Sequence, residues 1–236
     1  MTPSKCSRLT LVIDTSICGL RLALVSAGKA VPLWRDGIDE TQGSGARLTG
    51  ILADGLRTIS RDISDIDRVL VSCGPGSFTG IRVGIAFARG LFAGSEKGPE
   101  GCSSLGLYAA SESARLGGAV AVFLPATRTA GYVAVAESPE DVKLLPFVDG
   151  DISPKSVVLE TNATVLVVGV WAGLCAAFDR VAKPYRVESA SRIADAACFA
   201  MCRLAASGRM TDDGIGLHPI YLRRSSVEEK GEFSAD

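Results

Sequence analysis

The chain has 236 residues, 47% of them hydrophobic and 22% charged, with 25 Lys and Arg against 26 Asp and Glu. That is enough apolar material for a sizeable core and enough length for two small lobes. A formal net charge of -1 excludes a chain-wide basic footprint of the kind that drives strong nucleic-acid binding, so any service to RNA is expected to run through a partner.

The seven cysteines are odd in number and form no CxxC pair, which suits a reducing compartment better than a disulfide framework. Cys198 and Cys202 share one helix face and read as small core residues rather than as a redox pair or half a metal site. Met1 to Arg8 is short and polar and runs straight into a strand, unlike a signal peptide. The uncharged stretch from Thr161 to Phe178 breaks at Gly169 into a strand and a helix, so no membrane span is expected.

In chain order, Leu9 to Ile13 and Leu20 to Val25 are two apolar runs joined at Asp14-Thr15-Ser16, a hairpin interrupted only by Arg21. A weaker strand is expected over Ala30 to Trp34. After Gly43-Ser44-Gly45, the spacing of Leu48, Ile51, Leu52, Leu56 and Ile59 gives one apolar helical stripe. Val69 to Cys73 lacks alternation and reads as a strand buried on both faces. A loop over Gly74 to Gly80 leads into a helix from Ile81 to Ala93, and Gly94 to Gly101 reads as a link. A helix from Ser104 to Leu116 opens the second half. Strands follow at Ala119 to Leu124, Tyr132 to Ala136 and Val165 to Val168, with a short piece at Val157 to Glu160. A last helix spans Ala190 to Ala206 with Ile193, Ala197, Met201 and Leu204 inward, before a polar tail from Ser225. Both halves open on hairpin-like strands and continue as strand–helix units, which is compatible with a duplicated α/β lobe.

Gly74-Pro75-Gly76-Ser77-Phe78-Thr79-Gly80 joins a buried strand to a helix. Its glycines permit positive φ and close backbone approach, and Ser77 or Thr79 can cap the helix. Two readings stand: a phosphate cradle built from free backbone N–H groups, or a tight capped turn. The loop lacks the lysine of a Walker motif. Asp14-Thr15-Ser16 is open in the same way, between a seat for metal-bound phosphate and a turn closing the hairpin. The one histidine, His218, sits beside Pro219 and reads as structural. No HExxH or Cys/His cluster supports a histidine-ligated metal, and nothing marks a nucleophile for a triad. Asp62, Asp65 and Asp67 read as a solvated turn.

Leu11-Val12-Ile13-Asp14-Thr15-Ser16, Ile66-Asp67-Arg68 and Val69 to Gly80, followed by Ile81-Arg82-Val83-Gly84, are similar to the TsaB/YeaZ family in the same order. Ser103-Ser104-Leu105 resembles the start of that family's second lobe, and Pro219-Ile220-Tyr221-Leu222-Arg223 its C-terminal motif. The resemblance implies an actin-like (ASKHA, ribonuclease H-like) α/β fold of two lobes, each a mixed sheet flanked by helices, here residues 1–101 and 102–236. It implies a non-catalytic cytoplasmic subunit beside TsaD, the transferase that places threonylcarbamoyl on an adenosine near the tRNA anticodon, with the ATPase TsaE as third component. It implies no required cofactor or metal, contact with tRNA only through the complex, and contact with TsaD or a second copy through the first-lobe helices. The residues placed at that contact are Leu48, Ile51, Leu52, Leu56, Ile81, Arg82, Gly84, Ile85 and Ala88. Asp14, Thr15, Ser16, Gly74, Gly76, Ser77, Thr79 and Gly80 are the positions for ATP or ADP with Mg²⁺ under the alternative reading, a stand-alone ATPase or phosphotransferase. Three departures from the family pattern count against nucleotide: Ser44-Gly45-Ala46-Arg47-Leu48, Pro125-Ala126-Thr127 and Gly169-Val170-Trp171 each lack a polar or charged family residue.

Overall fold

Residues 8–39, 44–94, 98–126, 130–148, 162–169, 172–208 and 216–220 are described in the computed structural model. Gly43, Thr127, the segment expected at Val157 to Glu160, Val170-Trp171, Tyr221-Leu222-Arg223 and the tail lie outside them.

The first sheet holds β1 (Leu9–Asp14), β2 (Leu20–Ser26), β3 (Trp34–Ile38), β4 (Ile66–Ser72) and β5 (Glu100–Cys102) in the order β3-β2-β1-β4-β5. β1, β2 and β3 are antiparallel neighbours, whereas β4 and β5 run parallel to β1. The second sheet holds β6 (Val120–Pro125), β7 (Ala130–Ala136), β8 (Val142–Val148), β9 (Thr164–Val168) and β10 (Tyr185–Glu188) in the order β10-β9-β6-β7-β8. Its first three strands are again an antiparallel meander, and its last two again run parallel to the first. One topology is thus used twice, without sequence repetition to announce it. This duplicated mixed sheet, flanked by helices, is the two-lobe α/β architecture that the resemblance implies.

Helices α1 (Ser44–Thr58) and α2 (Phe78–Leu91) cover one face of the first sheet. Helices α3 (Ser104–Leu116) and α5 (Ala190–Ser207) lie between the two sheets, and α4 (Ala172–Arg180) closes the outer face of the second. The residues of β1 explain why its run does not alternate in polarity. Leu9, Leu11 and Ile13 enter the core under α1 and α2, while Val12 meets Ala23, Leu70, Cys198, Met201 and Cys202 on the α5 side. Each fully buried leucine of this kind contributes roughly 1.5–3 kcal/mol. α5 is shared: Ile193 and Ala197 pack with the second sheet, and its later turns pack with the first. Cys198 and Cys202 are both buried in that seam. Burial and their mutual hydrogen bond, the bond first, push the Cys198 thiol up.

Several expectations shift. The third strand lies at Trp34–Ile38 rather than Ala30 to Trp34, and α2 begins at Phe78. The stretch expected to be a link contains the start of β5, and β8 and β10 are further strands. Among the described residues no helix is long and apolar enough to cross a membrane.

Candidate functional site at the seam between the sheets

The turn after β1 and the loop after β4 meet at the C-terminal ends of two neighbouring parallel strands, where open α/β sheets commonly form a crevice. Here the crevice is filled by backbone. Ser77 N donates to Ser16 O at 2.6 Å, and Thr15 Oγ1 donates to Gly80 O at 2.7 Å. A Cβ on Gly76 would sit 2.1 Å from Ser16 O, one on Gly80 2.0 Å from Thr15 O, and one on Gly84 2.4 Å from Thr15 Oγ1. The glycines are therefore required by the approach of residues 15–16. Gly74 and Gly76 also adopt φ of 103° and 157°, the region that favours glycine. Ser77 caps α2, its Oγ accepting from Gly80 N at 3.1 Å. Thr79 is exposed beside it. All eight residues named for a phosphate site are thus brought together, but Ser77 N and Gly80 N are already bonded within the protein.

Asp14 closes the deepest part of the seam. Its Oδ1 accepts from Ser16 N at 2.9 Å and is 2.7 Å from Ser16 Oγ. Ser16 Oγ lies 2.8 Å from Ser104 Oγ and 3.0 Å from Ser72 Oγ, and Ser72 Oγ is 3.0 Å from Ser104 Oγ. Asp14, Ser16, Ser72 and Ser104 are all buried. Burial pushes the Asp14 carboxyl up, against the opposing pull of its serine hydrogen bonds. Among the described residues no group of three or more His, Cys, Asp or Glu side chains is placed to hold a metal ion. In this arrangement Asp14 does not fit metal-bound phosphate: its carboxyl is enclosed, and a ligand would have to displace the serines to reach it.

Arg21 is a second buried polar centre. Directly opposite Asp14 in the β1–β2 register, it is 3% exposed. Its Nε donates to Asp195 Oδ1 at 2.7 Å, and its Nη2 to Asp39 Oδ1 at 2.5 Å and Ser191 Oγ at 3.0 Å. Nη1 reaches the carbonyls of Cys18, Leu20 and Ile38. The fork geometry of a guanidinium lets one side chain tie β2 and the end of β3 to α5. The Arg21 and then the Ser191 hydrogen bond hold the Asp39 carboxyl below the usual carboxylate range.

The residues expected at a partner surface require correction. Leu48, Leu52, Leu56, Ile81, Gly84, Ile85 and Ala88 are buried beneath α1 and α2, and all of them except Gly84 belong to one cluster with Leu11, Ile13 and Val71. An apolar helical stripe is satisfied first by the sheet of its own lobe, and a side chain used there cannot also meet a partner. Ile51 is half-buried, and Arg82 alone of the nine is exposed, its guanidinium 3.7 Å above the Phe78 ring. Outward from these helices point Ala46, Gly50, Ala53, Ala86 and Gly90.

Ser72 and Arg21 carry much of the seam's polar structure and were not among the expected site residues. The available signals were an isolated charge inside an apolar strand, and a hydroxyl at the end of another.

Comparisons with known proteins bear on this geometry. The family model TsaD, tRNA N6-adenosine threonylcarbamoyltransferase, matches residues 43–143. The chain is 34% identical over 132 residues to the Escherichia coli K12 tRNA threonylcarbamoyladenosine biosynthesis protein TsaB, covering 51% of this chain and 55% of that protein. It spans about half, or less, of the length of the curated relatives it matches. Among solved structures it resembles an uncharacterized Pseudomonas aeruginosa protein with similarity to peptidase YeaZ, with a TM-score of 0.60, 22% identity and coverage of 91% of this chain and 99% of that one. It also resembles YeaZ from Pseudomonas aeruginosa, at TM-score 0.58, 20% identity and coverage of 91% and 99%. These two likenesses establish the fold.

Proposed function

We propose that the chain belongs to the TsaB/YeaZ family and that it is a non-catalytic subunit of the machinery that makes threonylcarbamoyladenosine in tRNA. It binds and supports a TsaD-type transferase together with a TsaE-type ATPase in the cytoplasm, and it meets tRNA through that complex. The observation that carries this reading is the 34% identity to Escherichia coli TsaB over 132 residues. The enclosure of Asp14 by serine hydroxyls supports it over a stand-alone ATPase, which would need that carboxylate open to a nucleotide-bound metal ion.

The partner surface is the outward side of α1 and α2. Ala46, Gly50 and Ala53 lie at helical spacing on one exposed face, with Ala86 and Gly90 on the other helix. A Cβ on Gly50 or Gly90 would meet nothing within 4 Å. Small residues let a second helix approach closely. Co-purification with the TsaD homologue of the same organism, by size exclusion with light scattering, tests the assignment. Ala53→Arg and Ala86→Arg are expected to weaken the complex by at least about tenfold while leaving the melting temperature near that of the wild type. Wild-type affinity in both variants would move the interface elsewhere. Failure of the wild type to associate with TsaD and TsaE would remove the subunit reading itself.

A further inference from the structure

Among the described residues, the buried side-chain oxygen without a hydrogen-bond partner is Asp14 Oδ2. The groups facing this carboxyl come from every element around it. β4 brings Ser72, the turn after β1 Ser16, and α3 Ser104. β2 brings Arg21, whose guanidinium is drawn away to Asp39 and to Asp195 of α5. α5 also brings the Cys198 thiol, which the Asp14 carboxyl helps to push up. No cation is bonded to the carboxyl in this set.

The unpartnered Oδ2 discriminates between its two forms, since the three serine hydroxyls find acceptors in either. If Asp14 is ionised, both oxygens carry charge, and one of them is enclosed with no donor. That is the costliest way to leave a buried acceptor. If Asp14 is a neutral acid protonated on Oδ1, that O–H donates to Ser16 Oγ. The Ser16 hydroxyl then donates to Ser104, Ser104 to Ser72, and Ser72 back to Ser16, along the contacts of 2.7–3.0 Å already described. Every hydroxyl hydrogen finds an acceptor, Ser16 N still donates to Oδ1, and the orphan Oδ2 is an uncharged carbonyl oxygen.

We infer that Asp14 is held as a neutral carboxylic acid, and that Asp14, Ser16, Ser72 and Ser104 form a proton-dependent lock fastening the first sheet to α3, not a seat for metal-bound phosphate. The lock stands independently of the partner assignment. It joins strands of the first sheet to a helix whose Leu105, Tyr108 and Ala109 pack on the second, so it bears on the closure of one lobe against the other. Burial raises the folded-state carboxyl above its ordinary value. The native state therefore keeps a proton that the unfolded chain has released. The stabilisation is complete below the unfolded value of about 3.9 and is lost as pH rises through the folded value. A ligand that brought a donor or cation to Oδ2 would open the lock and release that proton.

Carbon-13 NMR titration of the aspartate carboxyls in the full chain, with Asp14 assigned from the backbone, tests this directly. Asp14 is expected to titrate above the other aspartates. Titration at or below the ordinary aspartate value of about 3.9 would overturn the inference. Melting curves of wild type and Asp14→Asn from about pH 4 to 8 give a second reading. The variant should gain on the wild type as pH rises, and magnesium–ADP should shift neither. A gap that does not change with pH, or a magnesium–ADP shift present in wild type and absent in the variant, would also overturn it.

Discussion

Gly80→Ala is expected to lower unfolding stability by about 3 kcal/mol, as overpacking against backbone combined with broken hydrogen bonds. The added methyl would lie 2.0 Å from Thr15 O and 3.1 Å from Ser77 Oγ. A carbonyl oxygen cannot rotate aside as the end of a long side chain can. Thr15 is also gripped from two directions, since its hydroxyl bonds Gly80 O and it faces Gly84. Relief requires lifting the turn off the loop, which sacrifices the Ser77 N to Ser16 O bond. Gly90→Ala is the matched control: it lies in the same helix with open space around it, and should be neutral or stabilising by up to about 1 kcal/mol. Urea denaturation midpoints compare the two. Equal effects would show that the close approach does not constrain position 80.

The second large effect is expected at Arg21. Arg21→Met keeps the apolar stem but removes the fork, and should cost about 2–3 kcal/mol. This is below the 3–5 kcal/mol for breaking a fully buried pair, because the side chains of Asp39 and Asp195 are 60% and 47% exposed and regain water. Arg21→Lys should recover only part of the loss, since one ammonium cannot serve two carboxylates, Ser191 and three carbonyls at once. The loss has a pH signature. Asp39 is held below its ordinary value by Arg21 and Ser191, so its contribution is present above the unfolded value and disappears as pH falls through the folded one. Wild type and Arg21→Met should therefore converge in acid. A stability gap that persists there would place the energy in packing.

The six central strands were legible in the sequence, because burial on both faces leaves runs such as Leu9 to Ile13 and Val165 to Val168 almost wholly apolar. The strands misplaced or unread were β3, β5, β8 and β10, and among the described residues these are the four sheet edges. An edge strand is fixed largely by backbone pairing and tolerates polar and irregular residues. Hence Arg35-Asp36-Gly37 in β3, Glu100 in β5, Pro146 in β8 and Arg186 in β10. The stripe on α1 and α2 was legible as a stripe, but periodicity does not say whose core it enters. The seam cluster was half legible. Asp14 and Ser16 are legible as a turn, whereas Ser72 meets Ser16 across 56 positions and Arg21 meets Asp195 across 174. No local pattern encodes such pairings.

The central claim is that this chain supports another protein's transfer chemistry on tRNA. Its most direct test is reconstitution: the TsaD and TsaE homologues of the same organism, threonylcarbamoyl-AMP and unmodified tRNA, with and without this chain, and threonylcarbamoyladenosine measured by nucleoside mass spectrometry. Modification that requires this chain, and that Asp14→Asn also supports while Ala86→Arg does not, is the predicted result. Equal modification in its absence would contradict the claim.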